Sequence, residues 1–228
     1  MLAFRPATLI GLLLLGSGAS AASAAAPPAG ESLYVTCAAC HGRDGGGVAD
    51  GSVPAIGGQD ALVVTRVLEA YRNGSREDLR MTHFADPDHL PDIETIRRVA
   101  EVVAALRRAT PVTVGSGRAL DLGGDLYRRT CASCHGVAAA AVPGRAILAL
   151  AGQHAPYLER VLTAAAEGRA RHLVRTHGRV LSGLTGEERA ALADYLSRLP
   201  APTPSKSITM RTSCASDCAP IFSMTRAR

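Results

Sequence analysis

Residues 36–42 read TCAACHG and residues 130–136 read TCASCHG. Each phrase sets two thiols two residues apart and follows the second with a histidine. Thiols at that spacing can add to the two vinyl groups on one edge of a haem, and the adjoining imidazole then reaches the iron. Cys37 and Cys40 with His41, and Cys131 and Cys134 with His135, are therefore predicted to hold two covalently attached haem c groups. Other uses of these residues fit less well. A shared zinc site would take four ligands and leave the histidines without a role. A thioredoxin-like redox pair needs a βαβ setting, which the sequence lacks. Structural disulfides, available in an oxidising compartment, leave the histidines unexplained.

The sixth iron ligand decides what such a group does. Met81, 40 residues after His41, is the one methionine of the first copy beyond the leader, and it lies in the polar stretch GSREDLRMTHFADPDHLPD. It is expected in a loop as the thioether ligand of the first iron, which would saturate the site and raise its reduction potential. The second copy differs. Arg175 stands where the methionine would be, and a guanidinium offers no lone pair. Two histidines flank it. His177 is the favoured ligand, because in an extended loop it would point to the same side as residue 175. His172, Met210 and an open site are the alternatives.

These motifs sit in a repeat. Adding 94 to a position in the first half finds its counterpart: Gly58-Gln59 becomes Gly152-Gln153, Arg66-Val67-Leu68 becomes Arg160-Val161-Leu162, and Thr82-His83 becomes Thr176-His177. Gap-free register of this kind marks a duplicated domain. The boundaries read as a leader at 1–24, a first domain at 25–108, a linker at 109–119, a second domain at 120–200 and an irregular tail at 201–228. The pattern is all-α. A helix carries each CxxCH. A second runs from about Asp60 to Asn73 and stops at Gly74; its counterpart has Pro156 near its start and stops at Gly168. Ile93, Ile96, Val99, Val103 and Leu106 recur at helical spacing, and Thr185 with Glu188 forms a capping box before Leu192, Leu196 and Leu199.

The first residues have the layout of a secretory leader: Arg5, an apolar run from Leu9 to Leu15, then Ala22-Ser23-Ala24 as a cleavage site. The run is shorter than the roughly 20 residues that span a bilayer. A periplasmic location follows as the expectation. The formal charge of +5 is mild and dispersed, with Lys206 the only lysine, and lacks the basic patch with interleaved aromatics that nucleic-acid binding requires. Tryptophan is absent and aromatics make up 4% of the chain, so each lobe of about 90 residues has a thin core that a bulky apolar cofactor would fill. Arg76, Arg80, Arg169, Arg171, Arg175 and Arg179 read as a solvated face, with haem propionates or an anionic partner as the other use. His83, His89 and His154 read as surface or loop histidines rather than ligands, and Gln59 and Gln153 as structural. Cys214 and Cys218 could form a disulfide.

The order CxxCH, PAIGGQ, a helix ending YRNG, a loop methionine and a final helix resembles class I cytochrome c. The tandem arrangement over about residues 30–199 is similar to the di-haem cytochrome c4 family and to the di-haem subunit of flavocytochrome c. The resemblance implies two small α-helical domains, each wrapped around one haem, and electron transfer between periplasmic or membrane-bound redox proteins. It places Pro54 where a backbone carbonyl orients the proximal histidine. The counterpart of Pro54 is Leu148, which puts that feature in doubt for the second copy. Two other functions compete: a haem subunit of an oxidoreductase complex, and an enzyme binding peroxide or a small anion at the second haem. No G-x-G-x-x-G follows a strand, so a flavin would belong to another chain.

Overall fold

The computed structural model describes residues 29–140, 145–170, 172–173 and 175–204. The leader, Arg171, Met210, Cys214 and Cys218 lie outside the described residues. Among those described, all regular structure is helical. The first half contains α1 (Ala29–His41), α2 (Ala61–Arg72), α3 (Leu79–Phe84) and α4 (Ile93–Ala105). The second contains α5 (Leu120–Thr130), α6 (Ala132–His135), α7 (Ala155–Ala166), α8 (Arg175–Ser182) and α9 (Gly186–Arg198). In each half the final helix packs against the helix that leads into CxxCH and against the middle one.

Local chemistry sets the boundaries. The Asp60 carboxylate caps α2 by accepting from Leu62 N and Val63 N, and Asp92 caps α4 by accepting from Thr95 N. Thr185 and Glu188 form the expected reciprocal box at the start of α9. Gly74 and Gly168 both end their helices at φ near +73°, a conformation that costs a residue with a side chain. On α4, Ile96, Val99 and Val103 point inward and are buried, while Ile93 at the first turn is exposed. They join Tyr34, Leu68, Tyr71 and Leu90 in one core; Tyr127, Leu158, Leu192 and Leu196 form the other. At the crossing of α5 and α9 the backbones nearly touch. A Cβ on Gly123 would lie 2.2 Å from the Ala191 carbonyl oxygen, so only glycine fits.

The copies are not identical. α1 runs unbroken through its CxxCH, whereas the second copy breaks at Cys131 between α5 and α6. Tyr34 donates its hydroxyl to Gly42 O at 2.8 Å, eight residues on. Tyr127 makes the same bond to Gly136 O, nine residues on. The break at Cys131 absorbs that one-residue slip.

Three expectations need correction. Met81 lies on the short helix α3, not in a loop, because the Asp78 carboxylate caps it by accepting from Arg80 N and Met81 N. Residues 175–182 are likewise helical, not extended. His154 is not a surface histidine: it is fully buried between the halves. Its Nδ1 accepts from Thr113 N at 3.0 Å, so the ring proton sits on Nε2 and donates to Gly46 O at 2.8 Å.

The contact between the halves is reciprocal. Gln59 Nε2 donates to Ala149 O at 2.9 Å and its Oε1 accepts from Ala149 N at 3.1 Å. Gln153 does the same with Ala55, at 2.8 Å for both bonds. Both glutamines are buried, in keeping with a structural role. The connecting segment is also anchored. Asp44 accepts from Ala109 N and Thr110 N, and Asp194 accepts from Gly115 N and Gly117 N.

Two outcomes follow. His154→Ala strands a buried N–H and a buried carbonyl at about 1–3 kcal/mol each, so chemical denaturation should show a loss of about 2–5 kcal/mol. Asp44 gives an acid-sensitive contribution. Burial disfavours its charge, but hydrogen bonds from Thr110, Ala109 and Gly46 outweigh this and hold its carboxyl at about 2, below the ordinary 3.8. A depressed carboxyl stabilises the fold above its unfolded pKa and loses that effect as pH falls through its folded pKa. The stability gap between the native chain and Asp44→Asn should therefore be full above about pH 4 and shrink towards pH 2. A gap independent of pH would mean that the carboxylate contributes no charge-dependent stability.

Candidate functional site

In the first half, a cavity of about 700 Å³ opens beside Cys37, Cys40 and His41. Val63, Val67, Leu68, Val99 and Val103 give it apolar walls, and Met81 lines it from α3. Its size and lining suit a large flat apolar cofactor. His41 is 94% buried, and its Nδ1 donates to Pro54 O at 3.0 Å. Burial pushes its pKa below the ordinary value. The ring is thus neutral, with its Nδ1 proton committed and the Nε2 lone pair free for a metal. Cys37 and Cys40 form no disulfide, so both sulfurs are available for attachment to a porphyrin edge. The residues present fit a haem.

The cavity is shared between the halves. Leu148, Gln153, Tyr157, Arg160 and His172 also line it. Arg76 donates from Nε to Tyr71 Oη at 2.8 Å and reaches Tyr157 Oη across the boundary at 3.4 Å. Arg160 donates to Gly51 O at 2.7 Å. Arg76, Arg80 and Arg169 face this space, so the arginines divide between a cavity role and solvent, where Arg179 is exposed. His172 belongs to this first cavity. Burial first, then the charges of Arg76 and His177, lower its pKa to about 4.

The second half repeats the proximal arrangement. His135 Nδ1 donates to Leu148 O at 3.0 Å, matching His41 and Pro54. The bond uses a backbone carbonyl, so the change from proline to leucine leaves it intact. Burial, opposed by the bond to Leu148, lowers the pKa of His135. Cys131 and Cys134 form no disulfide.

Opposite His135 stands His177. The ring centroids are 6.0 Å apart and the rings are inclined by 68°. Two imidazoles bound on opposite sides of one metal at about 2.0–2.1 Å per bond have centroids about 6 Å apart. His177 Nδ1 is buried and has no hydrogen-bond partner among the described residues. The counterpart His83 is turned outward, with its side chain 62% exposed. The extended-loop argument for His177 does not hold, since residues two apart on a helix face nearly opposite ways. On α8 the His177 ring lies beside His135, whereas the His83 ring on α3 is exposed.

Sequence reasoning missed the inter-domain roles of His154 and Asp44 and the Arg76–Tyr157 contact. Asp78, one residue before the α3 segment, was a readable cap signal.

Two helical domains, each presenting CxxCH with an oriented histidine, define a tandem c-type cytochrome. The chain belongs to the cytochrome c family, whose model matches residues 28–89 and 120–200. It is similar to cytochrome c4 of Pseudomonas aeruginosa, with 30% identity over 201 residues covering 82% of this chain and 96% of that protein. It is 29% identical over 211 residues to the thiosulfate dehydrogenase electron acceptor of Stutzerimonas stutzeri, covering 85% and 94%. In structure it is similar to reduced recombinant cytochrome c4 from Pseudomonas stutzeri, with a TM-score of 0.66, 25% identity, and coverage of 75% of this chain and 97% of that one. It also resembles thiosulfate dehydrogenase from Marichromatium purpuratum, with a TM-score of 0.65, 26% identity, and coverage of 75% and 40%. The protein is a cytochrome c4-like di-haem electron-transfer cytochrome, with two covalently bound haem c groups at its CxxCH motifs.

Mass spectrometry of the native chain should show two added haem masses. Cys131→Ala/Cys134→Ala should leave one, held by Cys37 and Cys40. Retention of both in that variant would exclude attachment at the second motif.

Proposed function

We propose that this chain is an exported, periplasmic electron carrier whose two haem irons would be held by different residue pairs: His41 and Met81 in the first domain, His135 and His177 in the second. The single observation that carries this reading is the 6.0 Å separation of the His135 and His177 rings. When bound, each haem supplies a one-electron couple. The chain sets its potential through the axial ligands, since a thioether raises it relative to a second imidazole. The Nδ1 bonds to Pro54 O and Leu148 O fix the proximal rings and make them more basic. The apolar walls of the first cavity keep water from its contents. The first domain is then the higher-potential site and the second the lower.

The donors and acceptors are periplasmic or membrane-bound redox proteins. A narrower version makes the chain the electron-accepting partner of an oxidoreductase. It is favoured by the likeness to a thiosulfate dehydrogenase electron acceptor and to a thiosulfate dehydrogenase structure. An enzyme acting on peroxide or an anion at the second haem needs an open coordination position, which His177 would fill. Among the described residues, no helix is long and apolar enough to cross a membrane.

A redox titration should give two separated waves. Met81→Ala should abolish the red methionine–iron charge-transfer band and lower the higher-potential wave. His177→Ala should convert one low-spin signal in electron paramagnetic resonance to high-spin and leave the methionine band in place. An unchanged second haem in His177→Ala removes that ligand. If that haem is already high-spin in the native protein and rapidly binds carbon monoxide, the enzyme reading replaces the carrier.

A further inference from the structure

The segment after α3 carries a cluster that the haem sites do not use. His83, Asp86 and His89 are spaced three apart, and one ligand atom from each lies within 4.8 Å of the others. His89 Nδ1 is 2.8 Å from Asp86 Oδ1, and His83 Nδ1 is 3.5 Å from Asp86 Oδ2. The imidazoles meet edge to face with centroids 4.5 Å apart, and Phe84 packs against both. Both rings therefore turn a nitrogen towards one carboxylate.

The turn that holds them is rigid. Arg72, from α2, donates from Nε to Ala85 O at 3.1 Å and from its guanidinium Nη2 to Leu90 O. Ala85 and Leu90 are buried and bracket the turn. Leu90 N closes it by donating to Asp86 O at 2.9 Å. The three donors are fixed from below, while their outer side faces water. Such pre-positioning reduces the ordering cost of binding.

We propose that His83, Asp86 and His89 form a site for a divalent first-row transition-metal ion. Two imidazole nitrogens and one carboxylate oxygen suit zinc or copper rather than calcium or magnesium, which prefer all-oxygen sites. A metal bound through both Nδ1 atoms would take the place of the hydrogen bond that His89 Nδ1 now makes with Asp86. Donors around one tetrahedral ion at 2.0–2.2 Å lie about 3.3–3.5 Å apart, within reach of the present spacing by small side-chain adjustments. The outer coordination position would hold water. This site is independent of the axial-ligand assignments above.

The test is calorimetric titration of the oxidised, untagged two-haem protein with zinc chloride. The native chain should bind one zinc ion that His83→Gln and His89→Gln each weaken. The loss should be at least the roughly 10–100-fold that removal of even an outer-sphere partner costs at a metal site. The visible spectrum of each variant, with both haems in place, checks that the fold is intact. No binding by the native chain at about 1 mM zinc, or equal affinity in His83→Gln/His89→Gln, overturns the proposal.

Discussion

The imidazole-to-carbonyl bond at 3.0 Å, made once in each domain, is the constraint on which the rest depends. It reaches 13 residues along the chain, from the end of the CxxCH helix to the loop before the next helix. The residue after each accepting carbonyl then does a second job. Pro54 holds His41, and Ala55 pairs with Gln153; Leu148 holds His135, and Ala149 pairs with Gln59. Two adjacent peptide units thus orient an iron-facing ring and join the domains. The loop cannot shift to suit one task without disturbing the other.

This arrangement explains how the copies diverge without losing the shared fold. The backbone contacts tolerate a change of side chain, as at Leu148. Side-chain positions have drifted more freely. Tyr127 sits one residue out of register with Tyr34, and a break at Cys131 restores its bond. On α3 and α8 the equivalent histidines diverge, His83 to the surface and His177 to the side of His135. Axial chemistry changes where the backbone is least constrained.

How much was legible in the sequence follows from the range of each interaction. The CxxCH motifs, the caps at Asp60 and Thr185 and the inward stripe of α4 are local, and all were readable from spacing. The helical state of α3 was hard to read because its six residues show no apolar periodicity and its one local signal is the Asp78 cap at the N-terminus. The roles of His154, Asp44 and the glutamines depend on partners tens of residues away, so nothing adjacent in the chain marks them. His177 is expected on the argument of an extended loop, but a helix rather than a loop brings it to His135. The arginines could not be sorted at all until the cavity showed which of them face it.

The glutamine contacts have one more consequence. Gln59 meets Ala149 and Gln153 meets Ala55, so each glutamine bonds to the equivalent of its counterpart's partner, which is the rule of an isologous interface between identical subunits. At these contacts the two domains meet as the subunits of a homodimer do, here joined in a single chain. The surfaces that meet are self-complementary, and the segment between α4 and α5 acts as a tether. A tether of this length turns a bimolecular encounter into an intramolecular one at an effective concentration in the millimolar range. Duplication thereby makes permanent a contact between equals, and frees each copy to take on a different ligand.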